Sequence, residues 1–312
     1  MQAVRPAVDG TVASPDDAAL IAGLIERAGF EGTSLVMGVP GSMLMTSHLE
    51  LPPRTSGAPI EQIARMEMAR AHRVDPASFE LALWDVPPPA RARDGCHAIG
   101  VGLASAAIDP FLAMLDAHGL TVIALDVRSL ALARATAPLH DPDGMTCIVD
   151  ASWDGLGVVV VHQGIVVVDR VVDGVAWGDV CARAATRLGL SSFAAHDALA
   201  GASEGMPRSV SVRSMATEYF ERLVPEVERS MTYITHRYPD VPTRSVLIVG
   251  DAACLPGLKD RLAQAVSAQV VRVDPLTLES MTPSRTCQAD ASCIAAMGLA
   301  WFDLPTNARR AA

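Results

Sequence analysis

The chain is poor in aromatic residues, and it has no long apolar run, no basic block and no paired cysteines. Aromatics make up 4% of its 312 residues. Its cores must therefore be filled by Val, Leu, Ile, Ala and Met. Half of all residues are apolar, enough for well-packed interiors at this length. No apolar stretch approaches the roughly 18 to 20 residues of a membrane span, and the longest candidate, 157–161, is strand length. The amino terminus lacks the basic-then-apolar pattern of a signal peptide. With 25 basic against 35 acidic side chains, a net charge of −10 and well-spread arginines, there is no footprint for nucleic acid. The six cysteines, Cys96, Cys147, Cys181, Cys254, Cys287 and Cys293, show no Cys-x-x-Cys spacing. They read as reduced and buried, in a reducing compartment. His97 follows Cys96, but no second pair at metal spacing completes a zinc site. A Walker loop, a nucleophile elbow and a His-Glu-x-x-His helix are missing too, and the scattered histidines read as surface or satisfied residues.

What is present is a succession of strands and helices. Ser14-Pro15-Asp16-Asp17 opens a helix that Gly29 ends. Strands are predicted over 35–39 and 43–51, a helix over 60–74, strands over 79–86 and 97–104, a helix over 108–118 and a strand over 121–127. A polar loop with Pro142, 140–144, separates two lobes, 1–139 and 140–312. The second lobe opens with strands over 145–150, 157–162 and 165–172, the last two joined by a tight His162-Gln163-Gly164 turn. Helices follow over 176–188 and 192–200, then a flexible loop at 201–207. From 210 to 238 an apolar stripe of Met215, Tyr219, Leu223, Val227, Met231, Ile234 and Tyr238 predicts a long helix, which Pro225 either kinks or divides. A strand at 246–249, a helix at 255–266, a strand at 270–273 and a helix at 291–301 complete the lobe. This is a layered α/β pattern with mixed sheets.

Two segments could carry chemistry. In Cys147-Ile-Val-Asp150-Ala-Ser152 a buried strand ends in Asp and turns through small residues into a hairpin. Backbone N–H groups in such a turn can face phosphate oxygens, and the Asp can hold Mg²⁺ through water. The plainer alternative is an Asp that caps a turn. In Val246-Leu-Ile-Val-Gly250-Asp251, running on to Gly257-Leu258, a strand meets a glycine where a base or ribose could approach the backbone. An ordinary strand-to-helix turn is the alternative. A third pattern, Gly100-x-Gly102-x-x-Ser105 with Asp126 ending the next strand, mimics a dinucleotide fingerprint, but its third glycine is missing and the first two fall inside a strand.

The order of segments resembles the type IV pilus assembly protein PilM family, actin-like ATPases related to FtsA. The resemblance runs from about Asp9 to Asp303. It includes Ser34-Leu-Val-Met-Gly-Val-Pro40, Leu49-Glu-Leu51-Pro52, Ala117-His-Gly119-Leu120 and Asp126-Val127, with Ala131 and Arg134 on a following helix. It continues through Val149-Asp150, Gly164, Asp169-Arg170-Val-Val-Asp-Gly174, Glu226-Val-Glu-Arg229-Ser230, Gly250 to Leu258 and Ala296-Met-Gly298-Leu299-Ala300.

The resemblance implies a two-lobed α/β fold of the actin-like (ribonuclease H-like) ATPase type. It implies an inserted subdomain at about 42–118 and a helical insertion at about 192–240. The family's first strand, with its Asp-x-Gly phosphate loop, has no counterpart here, so the first lobe lacks its amino-terminal phosphate-loop strands. Asp150, Ala151, Ser152, Gly174, Glu226, Gly250 and Asp251 are the implied nucleotide-binding residues. Asp150 would hold Mg through water, and Glu226 would line the adenosine side. Two departures weaken this. Ala151 and Ser152 follow Asp150 where the family has Gly, and Asp251 replaces the second Gly of the adenosine loop. ATP and Mg are therefore expected to bind weakly or not at all.

The implied role is a cytoplasmic scaffold of the type IV pilus inner-membrane platform rather than an enzyme. Its partner would be the amino-terminal peptide of a PilN-like membrane protein, docked between strands 35–51 and helix 60–74, with the membrane reached only indirectly; a homo-oligomer is allowed. The alternatives are a sugar or acetate-type kinase of the same fold and a cytoplasmic component of a type II secretion platform.

Overall fold

The computed structural model describes residues 15–90, 92, 95–200, 210–278 and 291–302. The Ser14 cap and the 201–207 loop lie outside them. Contacts divide the chain between Arg128 and Ser129 into two compact units. The sequence places the change of lobe at 139/140, whereas the segment 129–139 packs with the second unit.

In the first unit, α1 (Pro15–Arg27) is followed by β1 (Ser34–Val39), β2 (Leu44–Leu51), α2 (Ile60–His72), β3 (Phe79–Asp85), β4 (Cys96–Ala104), α3 (Ser105–Ala117) and β5 (Thr121–Val127). β1 and β5 form a two-stranded parallel sheet, and β2, β4 and β3 an antiparallel one in that order. Two apolar cores hold the unit. Leu49, Leu51, Met68 and Phe79 join α2 to the antiparallel sheet. Ala18, Val39, Ile108, Phe111 and Leu115 join α1 and α3 to β1. Gly100 and Gly102 lie inside β4. A Cβ on Gly100 would come within 2.9 Å of Leu49 Cδ1 and one on Gly102 within 3.0 Å of the Phe79 ring. These glycines make room for core side chains, so the dinucleotide reading is set aside.

In the second unit, α4 (Arg128–Thr136) leads to β6 (Met145–Ala151), β7 (Leu156–His162) and β8 (Ile165–Val172). Then come α5 (Trp177–Leu188), α6 (Ser192–Ala200), α7 (Val210–Arg237), β9 (Thr243–Val249), α8 (Leu258–Ala265), β10 (Gln269–Arg272) and α9 (Ile294–Ala300). The five strands form one mixed sheet in the order β10-β9-β6-β7-β8. β6 is buried along its whole length and pairs antiparallel with β7 and parallel with β9. Its run of apolar residues without alternation is what a strand covered on both faces requires. The β7–β8 turn places Gln163 at φ 51° and Gly164 at φ 79°, the two left-handed residues of a type I′ hairpin.

Of the stripe, Met215, Tyr219, Leu223, Val227 and Ile234 on α7 and Tyr238 just past its end are buried, while Met231 is half-buried. Pro225 neither divides nor ends the helix, which runs unbroken through it. The helix expected from Leu255 begins at Leu258 instead. Gly257 at φ 90° cannot be helical, and a short 3₁₀ turn at Asp251–Cys254 takes up the chain before it. Among the described residues, no helix is long and apolar enough to cross a membrane.

Candidate functional site

β6 and β9 are parallel neighbours, so their carboxyl ends emerge side by side. Asp150 pairs with Val249 in that register, which brings the Asp150–Ser152 and Gly250–Asp251 turns together. Gly250 has φ 93° and ψ 177°, a conformation open essentially to glycine. A Cβ on it would stand 2.7 Å from the carbonyl carbon and oxygen of Ala151 and 2.9 Å from Asp150 Oδ1. The glycine is thus what lets the two turns touch.

The turn after β6 closes on itself. Ser152 Oγ donates to Asp150 Oδ1. The Ser152 amide donates to the Gly155 carbonyl at 3.0 Å. The Trp153 amide donates to Asp251 Oδ2 at 2.9 Å. The first amides of α5 return to the same turn, Trp177 N–H to Ser152 O at 3.1 Å and Gly178 N–H to Trp153 O at 2.9 Å. The Gly250 amide donates to Ala291 O at 3.1 Å. Asp150 is 4% exposed and Ser152 3%.

The Ser152, Trp153, Trp177, Gly178 and Gly250 amides thus have protein acceptors, one of them a carboxylate, and Asp150 is buried with the Ser152 hydroxyl bonded to it. Among the described residues, no group of three or more His, Cys, Asp or Glu side chains could hold a metal ion.

Of the residues singled out by sequence, Asp150, Ala151, Ser152, Gly250 and Asp251 meet here. Gly174 sits in the turn before α5 at φ 75°, with nothing within 4 Å of where a Cβ would be. Glu226 is used elsewhere. It ties α7 to β8 through Arg170 at 2.8 Å and also pairs with Arg229. Arg170 adds a bond to Ser230 Oγ at 2.7 Å.

Sequence reasoning missed a buried layer under the turns. Trp177 packs on Tyr219 at 5.2 Å between ring centroids, and its indole N–H donates to His196 Nδ1 at 2.9 Å. Tyr219 is 1% exposed and its hydroxyl has no hydrogen-bond partner. Burial pushes its phenol up, and Asp150, Asp251 and Cys181 add to the shift. Asp169 shares a sheet face with Asp150, because Asp169 opposes Val159 and Val159 opposes Ile148. It accepts a bond from Ser129 Oγ at 2.7 Å. Burial raises its carboxyl, the Ser129 bond opposes that, and the Asp150 charge raises it further. The available signals were Trp153 and Trp177, two of only four tryptophans, flanking the turn, and Asp169 within the quoted Asp169–Gly174 run.

The architecture has solved counterparts. The structure described as a PilM-PilN type IV pilus biogenesis complex matches at a TM-score of 0.76, with 18% identity over 96% of this chain and 89% of that one. MreB 5 of Spiroplasma citri bound to AMPPNP matches at 0.54, with 10% identity over 96% of this chain and 78% of that one. The ethanolamine utilization protein EutJ from Carboxydothermus hydrogenoformans matches at 0.53, with 15% identity over 96% of this chain and 78% of that one. No relative was found among curated protein sequences. These likenesses give the fold, which is actin-like α/β with mixed sheets. A family model described as type IV pilus assembly protein PilM matches residues 5–302, and with nearly the whole chain covered, the chain belongs to that family.

Proposed function

We propose that this chain is a cytoplasmic, actin-like scaffold of the type IV pilus inner-membrane assembly platform, and that it binds the amino-terminal tail of a PilN-like membrane protein while gripping ATP weakly or not at all. The observation that carries the reading is the likeness, at a TM-score of 0.76, to a structure described as a PilM-PilN complex. The tail docks on the first unit, along β1, β2 and α2. β2 is an edge strand, paired with β4 alone among the described residues, and an extended peptide can add to such an edge. α2 offers Met66, 55% exposed, and a cavity of about 430 Å³ opens at its start beside Pro59, Ile60 and Arg65. Membrane attachment then runs through the partner.

The test is fluorescence anisotropy with a labelled tail peptide from a PilN-like protein of the same organism. Saturable binding that Met66→Asp weakens at least tenfold is expected. A tail that fails to bind the folded protein would overturn the reading.

A further inference from the structure

The turn after β6 has the layout of an anion site. A strand end, a tight turn and the start of α5 converge on one place, and backbone amides lie along it. We propose that this site takes a carboxylate, and that the carboxylate is the chain's own: Asp251 is the resident anion of the Asp150–Gly155 turn and holds it shut without a nucleotide. The inference deepens the weak-nucleotide part of the reading above and does not depend on the partner peptide.

Three observations carry it. Asp251 Oδ2 accepts the Trp153 amide at 2.9 Å across a sequence separation of 98 residues. That geometry exists only because Gly250, pressed on the Ala151 carbonyl, delivers residue 251 to the turn. The second observation is that the first turn of α5 is filled as well. Trp177 and Gly178 are its first two residues, and such amides have no partners within a helix. Both instead donate to turn carbonyls, of Ser152 and Trp153. The Trp153 indole lies against Gly178, where a Cβ would come within 2.6 Å of Nε1. An anion arriving at this end of α5 therefore meets an occupied helix start. The third is the Tyr219 hydroxyl, fully buried and without a hydrogen-bond partner, within electrostatic reach of both Asp150 and Asp251. It is a buried polar group left without a bond.

A carboxylate on the Trp153 amide satisfies the donor that phosphate would use, and its charge repels phosphate from the same place.

The test uses the full chain and two variants, Asp251→Asn and Asp251→Gly. Amide exchange is read at Trp153, with β6 amides as the internal reference. In the unaltered protein the Trp153 amide should be protected. In Asp251→Gly, which has no side-chain acceptor, it should exchange at least tenfold faster while the β6 amides do not change, and in Asp251→Asn, whose side-chain oxygen still accepts, it should stay protected. Thermal unfolding is then followed with millimolar magnesium pyrophosphate against sodium chloride of equal ionic strength. The unaltered protein should show no shift. Asp251→Gly should melt about 4 °C lower and recover part of that loss with pyrophosphate. Fast exchange at Trp153 in the unaltered protein, a pyrophosphate shift with Asp251 in place, or no gain from pyrophosphate in Asp251→Gly would each overturn the proposal. Failure of the scaffold reading shows separately, as absence of tail binding, and leaves these results untouched.

Discussion

Replacing Gly250 with alanine tests whether the two turns are in contact. Gly250 follows β9 at φ 93° and ψ 177°. For a residue with a Cβ, that conformation costs about 1 to 3 kcal/mol before any neighbour is touched. The new methyl would also stand 2.7 Å from the Ala151 carbonyl and 2.9 Å from Asp150 Oδ1. Ordinary carbon contacts lie at about 3.5 to 4.0 Å, so the end of β6 must retreat by roughly 1 Å. β6 is buried along its length between β7 and β9, and forcing atoms into such a core costs about 1 to 3 kcal/mol. Strain and overpacking arise independently, so Gly250→Ala should lose about 2 to 6 kcal/mol. Hydrogen exchange of the β6 amides reads the second unit by itself, and urea unfolding gives the loss as a lower midpoint at unchanged slope. Gly155→Ala is the control. It lies on the same turn with nothing within 4 Å of its Cβ, and should stay within about 0.5 kcal/mol. A loss below about 1 kcal/mol for Gly250→Ala would refute both the clasp and the contact it rests on.

Further outcomes follow from the same unit. Gly298→Ala would put a Cβ 1.9 Å from the Ala131 carbonyl oxygen, lifting α9 off α4; a loss of more than about 2 kcal/mol is expected in denaturant, despite the roughly 1 kcal/mol that alanine gains in a helix, and an unchanged midpoint would count against that packing. Tyr219→Phe removes a buried hydroxyl with no partner, so stability should hold or rise by about 1 kcal/mol; a comparable loss would mean that the hydroxyl is bonded. Asp169 has its carboxyl raised, chiefly by burial, so the native state binds this proton more tightly than the unfolded chain. Its contribution is complete below the unfolded value of about 3.9 and is lost as pH rises through the raised native one. Asp169→Asn, neutral throughout, should therefore gain more in melting temperature over the unaltered protein near pH 8 than near pH 5, and a gain independent of pH would show that the carboxyl is not shifted.

Much of the fold was legible because it rests on local periodicity. The α7 stripe, the valine-rich β7 and β8 and the type I′ turn between them are short-range patterns, and the structure follows them. α4 was harder, since its nine residues are nearly all alanine, leucine and arginine without a clear apolar face. The start of α8 was expected at 255, three residues early, because the sequence does not show that Gly257 takes φ 90°, which breaks the helix there. The site was legible only in part. Asp150 and Gly250 each end a recognisable strand, but nothing in either segment says that β9 lies beside β6. Only that adjacency turns Asp251 from a residue in a strand-to-helix turn into the acceptor of an amide on another loop. Tyr219 was visible as one member of a core stripe, and its buried, unbonded hydroxyl is a fact of packing alone.

The position of Asp251 also bears on the proposal that this chain grips ATP weakly or not at all. In a site that needs a nucleotide to order its loops, those loops stay open until phosphate arrives. Here the Trp153 amide, the first amides of α5 and the Ser152 hydroxyl all have protein acceptors already. A phosphate oxygen placed on the Trp153 amide would have to displace a carboxylate, or sit about 4 Å from it at a repulsion of about 4 kcal/mol per unit charge near a protein surface. That alone is nearly a thousandfold in affinity. The order that a nucleotide would impose is built into the chain by an aspartate, a glycine that lets it approach and a tryptophan amide that receives it.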